Sequence, residues 1–278
     1  MSLTIALLSM LVLQETALPP EPTARSDVAQ LSLWVHGDRA AFDHDDTSTV
    51  LVYQDMPRRG DERWRAGYIH PLHAPSGAIL TENAPEDHIH HRGIFTAWRR
   101  ILVDGQSIGD FWDGSHVWLG EPTDTGWASD GKLPFYYMVG RDWMSDISGA
   151  PVAFMHDETV VTPELNADAT ITTLKVTTTL TALVPGLQLG GTDDEKGYGG
   201  MSFRFAHPDH MQIDSAGESL SATNAAMTTG DTVTFSWDDT VPENWPASIS
   251  VACTVNGEAW TNWVLRQSLS MQNCAWPG

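Results

Sequence analysis

Lysine is almost missing from this chain: Lys132, Lys175 and Lys196 are the only three in 278 residues, and basic side chains number 15 against 36 acidic ones. A formal net charge of −21 repels phosphate backbones and anionic headgroups, which excludes nucleic acid as the general partner. A pocket with a few local arginines could still hold an anionic sugar or a carboxylate. Cysteine is equally scarce. Cys253 and Cys274 form no zinc pattern, and the two either pair after export or both stay free.

Long apolar runs are lacking too, so no membrane span is expected. The run Leu3 to Leu13 has the length of a signal-peptide core and is followed by Pro19-Pro20. Residues 1–20 are read as a signal peptide and residues 21–278 as one exported domain, extracellular or periplasmic. The charged leader is absent, and the alternative for the same run is an N-terminal strand or helix. Only Ala216 to Ala226 and the extreme N-terminus have helix-like composition. No G-x-S-x-G elbow, H-E-x-x-H helix, C-x-x-C pair or G-x-G-x-x-G fingerprint follows a credible strand, which sets aside serine-hydrolase, zincin, thioredoxin-like and Rossmann chemistry.

What is present is strand-like. Thr170 to Leu180 and Ser248 to Val255 alternate and are rich in β-branched residues. Ser32 to Val35, Thr49 to Tyr53, Gly93 to Trp98, Val152 to Phe154, Thr159 to Val161 and Thr232 to Trp237 are shorter candidates between turn residues. Asn256-Gly257 is a hairpin turn signal. Many short strands among 23 glycines and 16 prolines predict an all-β fold, a large antiparallel β-sandwich.

Three of the eleven histidines fall within four positions, in Glu86-Asp87-His88-Ile89-His90-His91-Arg92-Gly93. Extended, this segment would put His88, His90 and Arg92 on one face and Asp87, Ile89 and His91 on the other. Such imidazoles can transfer protons or, with a converging third ligand, bind a metal. The plainer alternative is that they lock a tight turn. Upstream, Tyr68-Ile69-His70-Pro71-Leu72 offers His70 as a third ligand or partner base, or as a capped turn histidine. Downstream, Asp110-Phe111-Trp112-Asp113 combines aromatics with carboxylates, which suits sugar rings, although the same residues could be core and turn caps. Gly190 to Arg204 holds Lys196 and Arg204 among acids and glycines, either a rim loop beside a pocket or a glycine-rich hairpin.

At these residues the chain resembles the PmoA-like family, a group of mostly exported bacterial proteins labelled methane oxygenase. The resemblance is carried by Tyr68-Ile69-His70-Pro71-Leu72 with Ala74-Pro75-Ser76-Gly77, by Asp87-His88-Ile89-His90-His91-Arg92-Gly93-Ile94-Phe95, and by Asp110-Phe111-Trp112. Gly191 to Arg204 and Asn262 to Arg266 fit more loosely, and Ile89 stands where that family usually has proline. The resemblance implies a galactose-mutarotase-like supersandwich and the company of sugar-degrading enzymes.

Three functions follow as expectations. The first is a carbohydrate-active enzyme, a lyase, epimerase or hydrolase acting on a sugar or polysaccharide. His88, His90, His91, Arg92 and His70 would be its catalytic group, with Asp110, Trp112, Asp113, Lys196 and Arg204 binding the substrate. The second is a copper or iron oxidoreductase with His88, His90 and His70 as ligands. The third is a non-catalytic glycan-binding module. No cofactor is otherwise legible.

Overall fold

The structure, a computed structural model, describes residues 9–14, 31–36, 39–44, 48–56, 66–128, 136–165, 172–206, 210–221, 224–238, 240–267 and 271–276. Among the described residues the chain is all-β, with strands numbered here β1 to β23 in chain order and no helix. Among the described residues no helix is therefore long and apolar enough to cross a membrane.

Two nine-stranded antiparallel sheets make the bulk of the molecule. The first runs β16 (Glu218–Ser219), β15 (Met211–Ser215), β18 (Thr232–Trp237), β19 (Ser248–Ala252), β1 (Ser9–Gln14), β12 (Thr172–Ala182), β11 (Val152–Leu165), β10 (Tyr136–Ser145) and β9 (Val117–Ala128). The second runs β17 (Met227–Thr228), β22 (Asn262–Arg266), β23 (Met271–Ala275), β14 (Tyr198–Arg204), β6 (Ile94–Trp98), β5 (Tyr68–Leu72), β4 (Ser48–Gln54), β3 (Arg39–His44) and β2 (Leu31–His36). A small sheet orders β13 (Leu187–Gly190), β7 (Arg100–Val103) and β8 (Gln106–Gly109), and β20 (Thr254–Val255) with β21 (Glu258–Ala259) forms a short hairpin.

Alternation explains the pairing of faces. Along β12, Leu174, Val176, Thr178 and Leu180 are buried while Lys175 is exposed. On β10, Tyr137, Val139, Arg141, Trp143 and Ser145 turn inward in the same period of two. They meet Tyr53, Ile69, Ile94 and Met201 of the second sheet, so the two sheets pack as a sandwich around one apolar core. Each fully buried side chain such as Phe42, Leu51 or Phe235 contributes roughly 1.5–3 kcal/mol.

The interior also holds a polar cluster. Arg141 Nη2 donates to Asp55 Oδ1 at 2.7 Å and Nη1 to the Asp55 carbonyl at 2.6 Å, while the Tyr137 hydroxyl donates to the other Asp55 oxygen. Beside it, Trp143 Nε1 and Thr159 Oγ1 donate to the buried Asp157 carboxylate at 3.1 and 2.8 Å. Burial pushes the Asp157 carboxyl up, against the pull of Arg141.

Three local expectations change. Within Ala216 to Ala226 the described residues form the short β16 and turns instead of a helix, because Leu220 donates its N–H to the Ile213 carbonyl and closes a hairpin, while residues 222 and 223 lie outside the described residues. Val152 to Phe154 and Thr159 to Val161 are parts of the single strand β11, which spans the acidic interruption because Asp157 is satisfied inside. The glycine-rich stretch is not a hairpin: β13 pairs with β7, and β14 pairs with β6 and β23, leaving 191–197 as a connecting loop. Ser9–Gln14, within the apolar run Leu3 to Leu13, forms β1 between β12 and β19, while residues 1–8 and 15–20 lie outside the described residues.

Candidate functional site

The histidine segment is a turn, not an extended strand. His88 donates its N–H to the Pro85 carbonyl at 3.0 Å and His91 to the His88 carbonyl at 2.9 Å, so face alternation does not apply. Gly93 ends the turn with φ +38°, and a Cβ there would run into the Ile69 carbonyl. Arg204 anchors the turn from β14, with Nε donating to Glu82 at 2.8 Å and Nη2 to Asp87 at 3.2 Å. Folded in this way, all three imidazoles come to one place. His88 and His91 stack with centroids 4.6 Å apart and planes 7° from parallel, and His90 meets both edge-on at 5.6 and 4.7 Å.

The three rings form one wall of a cavity of about 390 Å³. Met201 points into the sandwich, so its neighbour Ser202, and Asn273 bonded to it, face the opposite way. The cavity lies on that outer face of β14 and β23. Trp112 packs against His90 and His91 from the loop after β8, with centroids 6.1 and 6.3 Å away, and stacks on Tyr198 at 5.6 Å. Loop 191–197 closes the rim with Thr192, Asp194 and Lys196. It is held by the Arg100–Asp193 ion pair and by the Trp276 N–H, which donates to the Gly197 carbonyl at 2.8 Å. Gly197 adopts φ +61°, and a Cβ there would strike the Trp276 carbonyl.

Positive charge gathers around this cavity despite the acidic chain. Arg99, Lys196 and Arg266 all line it, against one carboxylate, Asp194. Arg99 is held by Asp110 at 2.6 Å and Asp113 at 3.6 Å, and Lys196 by Asp194 at 3.4 Å. Arg266 lies 4.8 Å from the Tyr198 ring centroid. Burial, joined by the charges of His90, His88 and Arg204, lowers the His91 pKa to about 2, so this ring stays neutral. Although burial pushes the Asp87 carboxyl up, His88 and Arg204 hold it below its usual range, and it accepts from His88 Nδ1 at 2.8 Å.

The expected site residues therefore divide. His88, His90, His91, Trp112 and Lys196 reach the cavity. Asp110 and Asp113 act one step back: they cap their own turn through the Trp112 and Ser115 N–H groups, at 2.7 and 2.9 Å, and fix Arg99. Arg204 is the buried anchor of the turn. Arg92 is 1 % exposed and sits 5.6 Å from the Phe95 and Phe111 ring centroids, in the core. His70 lies on β5, its Nδ1 at 3.0 Å from Thr81 Oγ1. Neither lines the cavity. Among the described residues no three His, Cys, Asp or Glu side chains are arranged to hold a metal ion. The ligand set His88, His90 and His70 therefore does not fit one.

Burial raises the Asp110 pKa to about 6, outweighing Arg99 and the Trp112 N–H. The folded value lies above the unfolded one, so the native state holds the proton more tightly and stability falls as pH rises from about 4 to 6. Asp110→Asn should flatten that decline. Urea midpoints across this range check it, and an unchanged slope would count against it.

Arg99, Tyr198, Arg266 and Asn273 were not legible as site residues. Tyr198, Arg266 and Asn273 come from three separate strands and Arg99 from the junction of β6 and β7; beyond the loose resemblance over Gly191 to Arg204 and Asn262 to Arg266, the signal was the rarity of basic residues, which makes each arginine beside an apolar strand worth asking about. No curated protein and no solved structure matches the chain. A family model described as a family of unknown function, DUF6807, matches residues 39–277. That span includes β3 through β23 and every residue named around the cavity, and the chain belongs to this family.

Proposed function

We propose that the cavity is the active site of a carbohydrate-active enzyme that works by imidazole proton transfer. The observation that carries this reading is the convergence of three imidazoles and three cationic side chains on one cavity of about 390 Å³, a size suited to a small ligand or one or two sugar units. His90, half-buried between the other two rings and Trp112, is the proton-transfer residue. His88 is oriented by Asp87, and neutral His91 offers a hydrogen bond without charge. The neutralising role expected of Arg92 passes to the cavity's own cations.

The blocks shared with the PmoA-like proteins, which accompany sugar-degrading enzymes, support a carbohydrate substrate. The test is turnover across a panel of neutral and acidic polysaccharides, scored by new reducing ends, ultraviolet absorbance of unsaturated products and change of epimer. His90→Ala should lose about 10²–10⁴-fold in rate with its unfolding transition in place. Full activity in that variant sinks the proton-transfer role of His90, whereas binding without turnover in the wild type sinks the enzyme reading and favours a glycan-binding module.

A further inference from the structure

Of the cations that line the cavity, Arg99 and Lys196 already have carboxylate partners. Arg266 has no carboxylate within ion-pair distance among the described residues, and its buried Nε has no hydrogen-bond partner. Its charge is instead laid against the Tyr198 ring. Partial burial lowers its pKa, with only Asp194 pulling the other way, so an anion arriving here would meet an under-compensated guanidinium that stays charged. Asn273 supplies an independent sign. This side chain is 0 % exposed, its Nδ2 donates to Ser202 Oγ at 2.6 Å, and its Oδ1 accepts from nothing. A buried acceptor left open costs free energy unless a ligand donor fills it. His91 Nδ1, in the same cavity lining, is likewise buried and unbonded.

An anion receptor beside an open acceptor asks for a molecule that carries both a negative group and a hydroxyl. We infer that Arg266 receives the carboxylate of a sugar acid of the uronate class while Asn273 Oδ1 accepts a hydrogen bond from one of its hydroxyls. The inference rests on the carbohydrate reading above and supplies its substrate class. It also explains why a chain of net charge −21 gathers cations in one cavity: the surrounding acids repel polyanions elsewhere and leave this place for them to bind.

The test is calorimetric titration of the full chain with D-glucuronate, D-glucose and acetate. Glucuronate should bind about tenfold or more tighter than either of the others, as a charge-assisted pair implies. Arg266→Met should erase the preference over glucose, and Arg266→Lys should keep part of it, with thermal unfolding showing both variants folded. Equal affinities for glucuronate and glucose, or a preference that survives Arg266→Met, would overturn the inference. So would acetate binding as tightly as glucuronate, or no glucuronate binding at all. The proton-transfer reading fails separately, through an active His90→Ala variant that binds glucuronate normally.

Discussion

Asp55→Ala should destabilise the folded protein by about 3–5 kcal/mol, the largest loss expected of any single change outside the apolar core. The reason is what it leaves behind. Arg141 is 1 % exposed and gives its Nη2 to the Asp55 carboxylate and its Nη1 to the Asp55 carbonyl. Alanine keeps the carbonyl but strands a buried guanidinium, and Tyr137 loses the acceptor of its hydroxyl. Removing both charges is a different experiment. Asp55→Leu combined with Arg141→Met should recover most of the loss, because a buried pair exchanged for apolar groups of similar volume is often neutral. Urea unfolding of the two variants and the wild type decides. A cost below about 1 kcal/mol for Asp55→Ala, the usual value of an exposed pair, would mean that water reaches Arg141.

The second large effect concerns the cysteines. Cys253 follows β19 in the first sheet and Cys274 lies on β23 in the second, both are fully buried, and their sulfurs are 3.4 Å apart. Refolding with a glutathione couple should join them: the thiols give up two protons and two electrons, and glutathione disulfide is reduced to two glutathione thiols. The bond would staple the two sheets across a separation of 21 residues and add about 3 kcal/mol. Burial pushes the Cys274 thiol well above its usual range, so the reduced native protein should oxidise slowly and the bond should form chiefly during folding. The checks are an intact mass lower by two hydrogens and a higher urea midpoint, both lost in Cys253→Ser. A refolded protein that keeps two alkylatable thiols would refute the prediction.

The fold was legible where structure is local. Ser248 to Ala252 and Thr232 to Trp237 announce themselves by alternation, and Asn256-Gly257 closes the β20–β21 hairpin with both residues at positive φ. The long strands β9 and β10 were not legible. Gly120, Pro122, Asp124 and Gly126 read as breakers, and only pairing with β10, with register shifts around Arg141, keeps β9 extended. The histidine cluster was visible by composition, but its geometry was not. Period-two reasoning placed His91 opposite His88 and His90, whereas two turn hydrogen bonds bring the rings together. Arg266 was marked only by the loose resemblance over Asn262 to Arg266, and Asn273 by nothing local: what makes them part of a site is contact with residues far along the chain.

The position of β1 sets a timetable for folding. Its backbone pairs Leu11 with Leu174 on one side and with Val251 on the other, and among the described strands nothing else joins β12 to β19. Until Ala252 has left the ribosome, β1 can pair with β12 alone, and the edge of β1 that receives β19 stays open. Such long-range closure is slow. The nascent chain must therefore carry an unsatisfied strand edge through nearly all of its synthesis, which makes it a natural client for a chaperone.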